Sequence, residues 1–156
     1  MTLAEFKKSY EVYEKRHKLL GFSKLNALFE VDKIEHESEY LLRDIRKAIM
    51  GKVTEYMKLI EMLLNPTSAP PMFMQFAKHI SGDERKLLEN IYEKFIKFEL
   101  NALDIDLEYN ESREAEIIRV ACNTWVESIP DIRKVLGFMK RNFESSPTKK
   151  DRSYFG

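Results

Sequence analysis

Glu14 and His17 stand three residues apart, the spacing of one Glu-x-x-His half of a carboxylate-bridged di-iron site. Such a site takes two of these pairs and two further Glu from facing helices of a bundle. The other two histidines do not supply the second pair, because His36 follows Lys33 and His79 follows Phe76 at that spacing. His17 therefore reads as an interfacial helix residue. Asp104, Asp106 and Glu108 alternate as in the opening of a calcium loop. That loop requires Gly at its sixth position and a bidentate Glu at its twelfth. Here those positions hold Tyr109 and Ala115, so the acids read as a solvated edge. Glu14, His17, Asp104, Asp106 and Glu108 thus exhaust the metal candidates, and no metal or other cofactor is expected.

Nucleophilic chemistry has one candidate thiol, Cys122, which shares an apolar helix face with Trp125 and reads as a small core residue. Whether His17, His36 or His79 approaches it is a question of folding, not of sequence. Neither phosphate-cradling glycine pattern occurs among the five glycines, which disfavours nucleotide hydrolysis. No catalytic constellation is complete, and the chain reads as a non-enzymatic protein.

Charge is balanced overall, with 26 basic and 26 acidic residues, so no net field draws the chain to polyanions or anionic lipid. Its distribution is uneven. Met1 to Lys24 carries six basic and three acidic residues, Glu99 to Glu116 one basic and seven acidic, and Pro130 to Gly156 seven basic and three acidic. Such polarisation can guide docking of a complementary surface. A nucleic-acid alternative uses the last two expected helices as a helix-turn-helix, with a turn at Ser128–Asp131 and Arg133, Lys134, Lys140 and Arg141 on phosphates. A partner-binding alternative uses the uncharged Met72, Phe73, Met74 and Phe76, flexible and rigid apolar groups suited to adaptable contacts; the same four residues also suit a short helix plugging the end of a bundle.

The elements that must position these groups are helices. Apolar residues recur every three or four positions through most of the chain, the signature of amphipathic helices. Thr2 with Glu5 and Ser81 with Glu84 have capping-box spacing. A first helix is expected over 3–20 with Gly21 as its left-handed stop, then a short segment capped by Ser23, then a long helix from about Ile34 to Leu64 that opens on the Asp32–Glu35 capping spacing. Asn65–Pro66 ends it. A short helix over 72–80, one from Ser81 onward, one over 111–127 and a last one starting at Pro130 complete the set. The alternation Leu103, Ile105, Leu107 formally reads as a strand, yet its acids and the lack of a pairing strand favour a helix end.

The expected fold is all-α, an irregular bundle of about five to seven helices with one long central helix, forming a single helical domain over 1–144 with an internal loop at 65–71 and a flexible tail over 145–156. One cysteine suits a reducing compartment. The opening residues lack the apolar stretch of a signal peptide, and no run is long enough to span a bilayer. The expectation is a cytoplasmic protein acting through protein–protein interaction or self-association. A homodimer would form through the long central helix or through Met72–Phe76.

Overall fold

The computed structural model describes residues 2–34 and 39–144. Among them six α-helices and two 3₁₀ turns form, with no strand, so the all-α expectation holds. They are α1 (Leu3–His17), α2 (Phe22–Phe29), α3 (Leu41–Leu64), α4 (Pro71–Lys78), α5 (Gly82–Leu107) and α6 (Glu111–Glu144). The 3₁₀ turns are Val31–Lys33 and Pro66–Ser68. The chain divides into two compact units, Met1–Tyr56 with Lys94–Glu127 and Met57–Glu93 with Ser128–Gly156. The expected tail over 145–156, His36 and the proposed cap residue Glu35 lie outside the described residues.

Local chemistry explains the helix starts. At α1 the Thr2 hydroxyl accepts from the Glu5 amide at 3.3 Å while the Glu5 carboxylate accepts from the Thr2 amide at 2.7 Å. Ser81 and Glu84 repeat the exchange at 3.2 and 3.0 Å ahead of α5. Each box satisfies two of the amides that a helix start leaves without partners.

Several boundaries differ from the sequence reading. Helix α1 stops at His17, three residues early, because Lys18 takes the left-handed conformation (φ 52°) and its amide bonds back to the Glu14 carbonyl. Gly21 is not that stop. It has φ −56° and opens α2 instead, its carbonyl accepting from the Lys24 and Leu25 amides at 3.0 Å each, which puts Ser23 inside the helix. Ile34 is extended and closes the first 3₁₀ turn, so α3 begins at Leu41. The turn expected at Ser128–Asp131 does not exist. Residues 111–144 form one helix of 34 residues with Pro130 inside it. Proline lacks only one amide, and the remaining ladder of a long helix can carry the gap.

In the first unit the core gathers around Trp125. Its ring stacks on Phe95 at 5.8 Å between centroids and meets Tyr56 edge-on at 5.1 Å and Phe29 at 5.9 Å. Lys52 Nζ sits 5.7 Å from the Trp125 ring centroid and donates to the Leu28 carbonyl at 2.6 Å. One ammonium thereby satisfies a carbonyl at the end of α2 and faces an aromatic ring. Phe6, Tyr10, Leu25, Ile45, Ile49 and Ile118 complete this interior. In the second unit Met57, Ile60, Leu63, Phe76, Leu88, Ile91, Ile132 and Val135 are buried.

Candidate interaction surface

The residues singled out by sequence are mostly employed elsewhere. Glu14 accepts from the Phe22 amide at 3.3 Å, and His17 Nε2 lies 2.8 Å from Glu111 Oε1, so the two meet the starts of different helices, α2 and α6. Glu111 also accepts from Arg16 at 2.8 Å. The His17 bond first, and the Arg16 guanidinium second, hold its carboxyl below the usual range. Asp104 pairs with Arg113 and Asp106 with Arg46. Among the described residues no three His, Cys, Asp or Glu converge as a metal site would require. Burial pushes the Cys122 thiol up to about 12, which leaves it a poor nucleophile. Tyr10, whose phenol donates to the Leu20 carbonyl at 2.6 Å, is pushed up chiefly by burial and then by Cys122 and Glu14.

A cluster that sequence reasoning missed ties α3 to α5 and α6 in the first unit. Arg46 is 2 % exposed and Glu114 0 %. Arg46 Nε donates to Glu114 Oε2 at 2.6 Å and Arg46 Nη2 to Asp106 Oδ1 at 2.5 Å. Arg43 Nε donates to Glu114 Oε1 at 3.3 Å and Arg43 Nη2 to the Ile105 carbonyl at 3.3 Å. Tyr40 and Tyr109 stack at 3.9 Å, with the Arg43 guanidinium 5.7 and 5.3 Å from their centroids. Burial works against the Arg46 charge, but the bonds from Glu114 and Asp106 and the attraction of both carboxylates outweigh it and raise its pKa. Two guanidiniums against two carboxylates leave no charge over, and every group is engaged. The cluster thus joins α3, α5 and α6 through side chains whose charged groups are all taken up by one another.

The basic residues of the nucleic-acid alternative stand on the last turns of one continuous helix, so the helix-turn-helix outline behind them is corrected. Arg133, Lys134 and Lys140 are exposed, and Lys134 lies 3.4 Å from Asp131. Arg141 is exposed as well. The Met–Phe segment forms α4 in the second unit. Phe76 turns into the core and meets Phe73 edge-on at 6.1 Å. Met72 and Met74 remain exposed.

The largest apolar exposure falls elsewhere, on α5. Leu100 is 60 % exposed, Leu103 61 % and Leu107 85 %. On the same helix Phe95, Phe98, Ala102 and Ile105 are buried. At roughly 100° per residue the three leucines lie within an arc of roughly 60°, on the side nearly opposite the buried set. This stretch of α5 therefore has two apolar faces, of which the fold uses one. Side chains three and four apart on a helix are neighbours, so the leucines form one strip rather than scattered spots. Scattered surface leucines need no explanation, whereas a contiguous exposed strip is the kind of surface that calls for one.

Compared with known proteins, the chain matches no protein-family model, no curated protein and no solved structure. No helix among the described residues is long and apolar enough to cross a membrane.

Proposed function

We propose that this chain is a helical interaction protein that binds a protein partner through the leucine face of α5. The observation that carries the reading is the exposure of Leu100, Leu103 and Leu107 on one side of a helix whose other side is fully packed. A helix solvated on that side would place polar residues there. Supporting it, Arg46, Glu114, Asp106, Asp104 and Arg113 are engaged in ion pairs, and the one thiol is buried. The exposed Met72 and Met74 on α4 supply a smaller apolar surface of the second unit.

Placing a photo-crosslinking residue at position 103 tests the reading in cells that express the full chain. A discrete adduct is expected from position 103 and none from position 123, where the exposed Asn123 stands on α6. No adduct from position 103, or the same adducts from both positions, would refute it.

A second reading, contact with a nucleic-acid backbone, rests on Arg133, Lys134, Lys140 and Arg141 lying within an arc of roughly 120° on one helix. It predicts a duplex or RNA mobility shift at low salt that fades steeply as salt rises. No shift at low salt removes it.

A further inference from the structure

We infer that the partner of the α5 leucine face is a helix whose own apolar stripe is edged with lysine or arginine. This rests on the reading of that face as a binding surface and adds the chemistry of its occupant. From the half-buried Ile96 the spacing runs four, three, four through Leu100, Leu103 and Leu107. That is the alternation of a heptad seam, along which another helix lies and inserts its own apolar side chains.

The edges of the seam fix the partner's charge. Glu99 and Asp106 border it on one side and Asp104 on the other, Glu108 follows its end, and Lys97 is the one base on the border. Asp104 and Asp106 already hold Arg113 and Arg46. Glu99 and Glu108 have no ion pair among the described residues, so the uncompensated charge along the strip is negative. A second copy of this chain fits poorly. In parallel register Glu99 would face Asp104 of the other copy and in antiparallel register Asp106, neither of which offers it a positive partner, and Lys97 would meet only an Asp104 already held by Arg113. A helix with cationic edges turns the same positions into attractive pairs, and like-charge juxtaposition excludes acidic competitors.

The test uses the full chain and two synthetic amphipathic helices of about 21 residues. Both carry leucine at the seam; one has lysine at the edge positions and the other glutamate. Fluorescence anisotropy is expected to show the lysine helix binding about tenfold or more tightly than the glutamate helix, with the preference shrinking as salt rises from about 50 to about 300 mM. Leu103→Asp should weaken the lysine helix by about tenfold or more, and Glu99→Lys with Glu108→Lys should invert the preference. Equal binding of the two helices, or a lysine helix indifferent to Leu103→Asp, would overturn the inference. So would a dimer of the chain itself that Leu103→Asp dissociates. If position 103 still crosslinks a partner in cells while the lysine preference is absent, only the cationic class falls; if position 103 crosslinks nothing, the binding face itself falls.

Discussion

Replacing Arg46 by alanine should destabilise the first unit far more than any surface change, and the structure sets the size of the effect. Arg46 is the principal partner of Glu114, a carboxylate with no solvent exposure at all. Removing one member of a buried pair leaves an uncompensated charge and typically costs about 3–5 kcal/mol. Arg43 Nε stays 3.3 Å from Glu114 Oε1 and supplies part of the lost compensation, which places the expected cost near the lower end, about 3 kcal/mol. Removing both charges gives the discriminating comparison. In Arg46→Met with Glu114→Leu nothing charged is stranded between the two positions, and the cost should fall to about 1–2 kcal/mol, much less than the sum of the single changes. Urea unfolding followed by fluorescence is the assay, because the only tryptophan, Trp125, lies in the core of this unit. A loss below about 1 kcal/mol for Arg46→Ala, or additive single and double changes, would refute the reasoning.

Further outcomes follow from three particular residues. With its thiol pushed up to about 12 against an ordinary 9.0, Cys122 should react with a disulfide reagent at pH 8 at least about tenfold more slowly than in the unfolded chain; equal rates with and without denaturant would contradict its burial. Because the folded value is the higher one, Cys122 also contributes stability that is present below pH 9 and lost as pH rises toward 12. Pro130→Ala should stabilise the chain by about 1–3 kcal/mol, since a proline in a helix interior costs about 3 kcal/mol relative to alanine; a destabilised variant in thermal melts would refute this. Glu111→Gln should lower stability at pH 7 and lose that effect in acid. The depressed carboxyl of Glu111 contributes only above its ordinary 4.5, and the contribution vanishes as pH falls through its folded value, so a difference that persists at pH 2 would count against the His17 and Arg16 pairing.

The helical class was legible because apolar residues recur at the helical interval nearly throughout, and the Thr2–Glu5 and Ser81–Glu84 boxes were legible because their partners are three residues apart. Boundaries set by backbone competition were not. Lys18, with a side chain, takes the left-handed stop that glycine would take more cheaply, while Gly21 is drawn into opening α2. Pro130 suggested a helix start, yet it sits inside α6, where packing on both sides outweighs local preference. The Arg46–Glu114 pair joins residues 68 apart in sequence, and no local spacing announces such a contact. The leucine face did leave a trace. Leu103, Ile105 and Leu107 alternate like a strand, but on a helix residues two apart stand about 200° from each other. That is why Ile105 is buried while Leu103 and Leu107 face outward, and the same alternation recorded a helix with two apolar faces.

Binding through that second face is tested most directly by changing Leu100, Leu103 and Leu107 together to serine and measuring the partner retained on the purified full chain. Their exposure predicts an unfolding free energy within about 0.5 kcal/mol of the original for each leucine, together with at least a tenfold loss of bound partner. An undiminished partner on a normally folded triple variant would contradict the claim.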